Sequence, residues 1–157
     1  MVKNYPNHSI YRIIKRDIYK ICHEVFILLY FYVGLGGVAG SLLRYLLSVI
    51  AVRLWGAEFP IGTLFINLSG AFLLGFTTTH FVNSKRVHPY LITALTTGVI
   101  GSYTTFSTFS VETVHLLESG RYILGLLYLF VSVIGGLLLV RAGMKLSEQT
   151  KRIRRVL

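Results

Sequence analysis

Residues 98–112 read Gly-Val-Ile-Gly-Ser-Tyr-Thr-Thr-Phe-Ser-Thr-Phe-Ser-Val-Glu, placing two glycines and six Ser or Thr hydroxyls in an otherwise apolar region. Two chemistries are open to such a run. The hydroxyls can bond back to carbonyls of their own helix, which leaves them inert. Alternatively, a glycine followed by hydroxyl residues marks a point where a helix in an apolar medium can break. Freed carbonyls then suit a small cation, and freed N–H groups and hydroxyls suit an anion. Gly101, just ahead of the cluster, favours the break. The other polar candidates are Arg44, then Thr63, Asn67 and Ser69, then Glu112, then Tyr128 and Ser132 one turn apart. Polar groups in hydrocarbon are functional candidates by default, although an Asn also serves as a plain interhelical clamp. Catalysis has little to work with: there is no HExxH, no GxSxG and no carboxylate pair in the apolar segments, so the chain reads as a non-enzyme. His80 and His115 stand alone near helix ends and read as interfacial.

The apolar medium is implied by where the charges are missing. Of 157 residues, 54% are hydrophobic and 14% charged, and the mean hydropathy is +0.65. A soluble domain carries about 25% charged residues. Arg44 is the only charge between Glu24 and Arg53, and none falls between Glu58 and Lys85, Arg86 and Glu112, or Arg121 and Arg141. Each gap is long enough for a helix of about 20 residues to cross a hydrocarbon core of about 30 Å. Four spans follow, at about 25–52, 61–82, 91–117 and 122–140, and they use nearly the whole chain. A soluble enzyme, a disordered tail and a secreted disulfide scaffold are excluded. Cys22 is the only cysteine, so neither an intrachain disulfide nor a cysteine-based metal site is available.

Pro60 suits the first turn of the second span and Pro89 precedes the third. Gly36-Gly37-Val38-Ala39-Gly40 has the small-xxx-small spacing that lets helix backbones approach in lipid, and Gly70, Ala71, Gly75, Gly135 and Gly136 offer the same. Gly34-x-Gly36-x-x-Ala39 also matches a nucleotide-binding pattern formally, but that pattern needs a βαβ unit. Residues 1–24 form a basic extension, in which Ile10, Ile13, Ile14, Ile18 and Ile21 recur at helical spacing and suit a short amphipathic helix on the membrane surface. The apolar run that follows is too long for a signal peptide, so the N-terminus is expected to be retained. Residues 25–146 make the transmembrane domain and 147–157 a basic tail. The net charge of +10 sits mainly in the two ends, beside apolar spans, which points to anionic lipid headgroups and not to nucleic acid.

Three motifs then carry a resemblance: Gly36-Gly37-x-x-Gly40-Ser41-x-x-Arg44-Tyr45; Gly62-Thr63-Leu64-x-x-Asn67-x-x-Gly70-x-Phe72-x-x-Gly75; and Gly98-x-x-Gly101-x-x-Thr104-Thr105-Phe106-Ser107-Thr108-Phe109-Ser110-x-Glu112. Over about residues 30–145 the chain resembles the CrcB/Fluc family of fluoride channels. The resemblance implies an all-α membrane protein with four transmembrane helices per subunit, the third broken near its middle, paired as an antiparallel dimer that passes fluoride and rejects chloride. It implies a path lined by Phe106 and Phe109, with Asn67 donating an amide N–H to the ion and Ser107, Thr108, Thr63, Tyr128, Ser132 and Glu112 continuing or edging a polar track. It places Arg44 at a vestibule, and it gives the carbonyls of Gly101 and Thr104 to a structural sodium ion shared with the partner subunit. Spacing alone reads Phe106 and Phe109, at i and i+3, as ordinary helix packing.

Two rivals belong to other classes. A proton-coupled exporter of small molecules also uses four spans, but it needs an acid deep in the bilayer where the first span offers Arg44; a non-transport assembly factor needs no hydroxyl-rich break. Charge also fixes an expected orientation at the plasma membrane. Lys3, Arg12, Lys15, Arg16, Lys20, Lys85, Arg86, Arg141, Lys145, Lys151, Arg152, Arg154 and Arg155 lie on one side, against Arg53 and Arg121 on the other. Both termini are therefore expected in the cytoplasm. Because an antiparallel pair needs one subunit each way up, this bias favours a heterodimer with a related subunit over a homodimer. A cysteine introduced at Ser84 should be labelled only from inside intact cells and one at Ser119 only from outside; labelling of both positions from both sides would show dual topology.

Overall fold

The computed structural model describes residues 8–56, 58–81 and 87–156, without the side chains of 8–22, 24 and 154–156. Lys3, Ser84, Lys85 and Arg86 therefore lie outside the described residues, as do the side chains of the isoleucines proposed for a surface helix. Among the described residues the secondary structure is all helix: α1 (His8–Trp55), α2 (Ile61–Phe81), α3 (Pro89–Thr93), a π-helical stretch (Ala94–Ile100), α4 (Gly101–Tyr103), α5 (Phe106–Glu118) and α6 (Tyr122–Val156). Three segments are long and apolar enough to cross a membrane: Val25–Trp55, Ile61–Phe81 and Tyr122–Ile153. The chain is a multi-pass membrane protein.

α1 runs unbroken for 48 residues, about 72 Å at 1.5 Å per residue. Its basic N-terminal part continues into the first span without a break in the helical backbone, and no Gly or Pro interrupts the sequence between His8 and Val33. The helix stops at Gly56, whose φ of 77° admits only glycine comfortably and whose N–H closes on the Val52 carbonyl at 2.9 Å. α5 stops at a second left-handed glycine, Gly120. There the N–H groups of Gly120 and Arg121 close on the carbonyls of Leu117 and Leu116, both at 3.0 Å, in the paired pattern of a Schellman turn.

Residues 89–118 do not form one helix. The backbone widens into the π stretch, returns to α geometry at Gly101 (φ −64°, ψ −35°), and leaves it at Thr104 (ψ 157°) and Thr105 (φ −146°, ψ 121°). Gly101 is itself helical, and the departure falls three residues after it, within the hydroxyl cluster. Of the six hydroxyls in the cluster, Thr104 and Ser110 do bond back to the carbonyls of Ile100 and Phe106, at 3.1 and 2.9 Å. The inert reading therefore holds for part of the cluster only.

Glycine decides which helices meet. A Cβ on Gly36 would lie 2.5 Å from the Ala94 carbonyl oxygen, one on Gly98 would lie 2.7 Å from that of Val33, and one on Gly40 would collide with the Val99 carbonyl. α1 and the π stretch therefore touch backbone to backbone, without intervening side chains. α2 and α6 share the most extensive helix contact, and they run parallel: Gly135 faces Leu68, Gly75 faces Val140, and Gly143 faces Phe72 and Phe76. Lys151 donates to the Thr79 carbonyl at 2.5 Å, tying the C-terminal part of α6 to the end of α2. Gly40→Ala should destabilise the fold by about 1–3 kcal/mol, since the obstacle is backbone and cannot swing away. Gly136→Ala, where a Cβ meets nothing within 4 Å, should be neutral; thermal unfolding in detergent compares the two.

Candidate functional site: a donor-lined path at the Thr104–Thr105 break

The extended residues after α4 leave backbone groups without helical partners, and Asn67 on α2 takes both of those on Thr105. Its Nδ2 donates to the Thr105 carbonyl at 2.9 Å, and its Oδ1 accepts the Thr105 N–H at 2.8 Å. The Thr105 hydroxyl then caps α5, accepting the Thr108 N–H at 3.2 Å and donating to the Thr108 hydroxyl at 3.0 Å. Beside this clamp Ser69 and Tyr103 share a hydrogen bond of 2.8 Å. A Cβ on Gly70 would collide with the Thr104 methyl, so the glycine is what lets the break lie against α2.

Two carbonyls gain freedom from the same arrangement. In a continued helix the Thr105 N–H would close on Gly101 and the Thr108 N–H on Thr104. Those donors instead serve Asn67 and the Thr105 hydroxyl. Gly101 and Thr104 both line a cleft of about 400 Å³ with Asn67, Phe106, Phe109 and Ser132. Carbonyl oxygens are ligands of the kind that a hard cation takes.

The two phenylalanines differ in setting. Phe106 is 79% exposed on its own subunit, whereas Phe109 is half-buried. Their ring centroids are 5.9 Å apart, and Phe109 lies 5.2 Å from the ring of Tyr128. Ser132 also lines this cleft, and its buried hydroxyl has no hydrogen-bond partner.

A second cleft of about 310 Å³ includes Thr63, Thr108 and Glu112 in its lining. The Glu112 carboxylate accepts from the Thr63 hydroxyl on one oxygen and from the Tyr128 hydroxyl on the other, each at 2.8 Å. Tyr128 is fully buried. Its ring touches Phe109 of the first cleft while its hydroxyl reaches Glu112 of the second, which joins the two.

Sequence reasoning named nearly all of these residues, and the fold brings most of them together. Ser107 is exposed and Arg44 half-buried, and neither lines either cleft among the described residues. Thr105 was overlooked as a site residue, although a Thr directly ahead of the first apolar residue of a helical run is an N-cap signal. Tyr103, the partner of Ser69, carried no such signal. Asn67 proves to be a backbone clamp in addition to a candidate ion donor; one of its two amide hydrogens is already committed.

The family model for the CrcB-like protein, Camphor Resistance (CrcB), matches residues 31–144. The chain belongs to the CrcB family. It is 45% identical over 121 residues to the fluoride-specific ion channel FluC 1 of Moorella thermoacetica, covering 77% of this chain and 86% of that one. It is 43% identical over 125 residues to the fluoride-specific ion channel FluC 2 of Geobacillus kaustophilus, covering 80% and 97%. With FluC 1 of Bacillus thuringiensis subsp. konkukian the figures are 42% over 121 residues, 77% and 88%. The family match takes in both clefts of this CrcB protein and leaves out the basic N-terminal part of α1.

Asn67→Leu should leave the Thr105 N–H and carbonyl without partners and cost about 2–6 kcal/mol, at about 1–3 kcal/mol for each group. Ser132→Ala removes a hydroxyl that bonds to nothing in the protein and should change stability by less than about 0.5 kcal/mol. Unfolding of the purified protein in detergent measures both.

Proposed function

We propose that this chain is a subunit of a fluoride-selective passive channel that exports fluoride from the cytoplasm and so lowers its toxicity. The observation that carries this reading is the cleft at the Thr104–Thr105 break, which Asn67 and Ser132, with its unpartnered hydroxyl, line together with Phe106 and Phe109. Fluoride is small, tightly hydrated and a strong hydrogen-bond acceptor, so a path for it must replace water with donors. Amide N–H, hydroxyls and the positive edges of aromatic rings are such donors. The names of the CrcB relatives agree with this chemistry.

The track continues through Thr108, Tyr128 and Thr63 to Glu112, with Ser107 at its side and Arg44 at a vestibule. Hydrogen fluoride enters a cell as the neutral acid and dissociates inside, and an inward-negative potential then drives the anion out without coupling. No bond is made or broken, and the protein acts as a channel and not as an enzyme.

Residues 89–118 serve as the remaining span, the third in chain order, broken at Thr104–Thr105. The functional unit is an antiparallel dimer in the plasma membrane, with both termini of this chain in the cytoplasm and lipid around α1 and α6. The exposure of Phe106 supports a partner subunit covering that ring. The charge bias supports a heterodimer with a related subunit over a homodimer. A sodium ion on the Gly101 and Thr104 carbonyls, shared across the dimer, would supply a fixed positive charge near the path; the lost helical donors of those two carbonyls support this site. A proton-coupled exporter is not favoured, since Glu112, midway along α5, is held by Thr63 and Tyr128 and no acid stands in the first span.

Liposomes containing the protein, with its partner subunit where one is required, should release fluoride down its gradient without a pH gradient, and retain chloride. Phe106→Ile and Phe109→Ile keep bulk but remove ring edges. Each should slow fluoride release by about tenfold, equivalent to about 1.4 kcal/mol in barrier height. Strict dependence on proton exchange would sink the channel, and unchanged flux in both variants would return the rings to packing.

A further inference from the structure

The cleft that holds Glu112 has an outer neighbour which the proposed path does not use. It measures about 470 Å³ and is lined by Glu58, His115, Leu116, Ser119 and Arg121. Glu58, His115 and Leu116 also line the cleft of Thr63, Thr108 and Glu112, so the two spaces adjoin. An anion leaving the track at Glu112 meets this outer space next.

Its charge balance is unfavourable to an anion, with one exception. Glu58 lines this cleft and Glu112 lines the adjoining one, and both carboxylates repel negative charge. Arg121 is the cation lining the outer cleft. Its placement is built by the fold: the Schellman turn at Gly120 sets its backbone, and its Nη1 donates to the backbone carbonyl of Glu58 at 3.2 Å. That bond fixes the guanidinium there without using the Glu58 carboxylate.

We propose that Arg121 is an access residue for the conducted anion, offsetting Glu58 and Glu112 at the mouth opposite the chain termini and raising the local anion concentration there. The proposal rests on the channel reading above and adds to it a residue and a role. A cleft with walls of low dielectric focuses the field of such a charge, so the effect is large at low ionic strength and vanishes when salt screens it.

The test is fluoride release from liposomes at ionic strengths of about 0.01 M and about 1 M, where the screening lengths are about 30 Å and about 3 Å. Arg121→Gln should lower release about three- to tenfold at the low ionic strength and match the unaltered protein at the high one. Arg121→Lys should restore most of the loss, since it returns the charge without the fork. Glu58→Gln keeps the backbone carbonyl that anchors Arg121 and should raise release at low ionic strength. Arg53, exposed at the same end on the last turn of α1 and lining neither cleft, is the control: Arg53→Gln should have a clearly smaller effect. An equal loss in Arg121→Gln at both ionic strengths would make Arg121 a structural tie and overturn the proposal, as would an Arg53→Gln effect of the same size. Absence of fluoride release from the unaltered protein is a different result, and it defeats the channel reading itself.

Discussion

Backbone N–H and carbonyl groups at membrane depth need partners, because hydrocarbon offers none. The candidate path depends on how one side chain meets that need. Where residues 104 and 105 leave the helix, the Asn67 amide supplies an acceptor and a donor to the same residue, Thr105. A neutral side chain with both functions on one planar group suits the task; a carboxylate, which only accepts, would leave the Thr105 carbonyl without a donor. Once Thr105 is held, its hydroxyl caps α5 and fixes where Phe106, Phe109 and Glu112 point. The carbonyls of Gly101 and Thr104 are released by the same redirection of donors.

Close helix approach makes that clamp possible. Gly70 admits the Thr104 methyl, and Gly36, Gly40 and Gly98 let α1 press against the π stretch that precedes the break. In lipid there is little hydrophobic drive between helices, so association relies on backbone contact of this kind and on polar bonds between helices. The bonds of Thr63 and Tyr128 to Glu112 are of the second type, and they join α2, α5 and α6 at one carboxylate. Packing and the candidate path therefore share residues, and a substitution chosen to probe one perturbs the other. Ser132 is the exception, because its hydroxyl makes no bond within the protein.

Much of this was legible in the sequence. The gaps between charges marked the apolar segments, the hydroxyl run marked the region of irregular backbone, and Asn67, Glu112, Tyr128 and Ser132 stood out as polar residues in apolar surroundings. These are local properties: a side chain's polarity and the length of an apolar run do not depend on the fold. The same holds for the glycine spacing in α1, whose small residues do form a seam.

Tertiary structure decided what those residues do. Sequence marked a break in the run that follows Gly101 without fixing its residue; the helix continues through that glycine and ends at Thr104, because the acceptor that draws away the Thr105 N–H comes from α2. Spacing could not pair Asn67 with Thr105 or Glu112 with Thr63, since 38 and 49 residues separate them and no period links them. Nor could it tell which hydroxyls of the run bond back to their own helix and which cap the next one. The sequence by itself determined which groups are costly to bury in a membrane; only the packing of α2 against the break and α6 determined which of those groups satisfy one another and which remain for an ion.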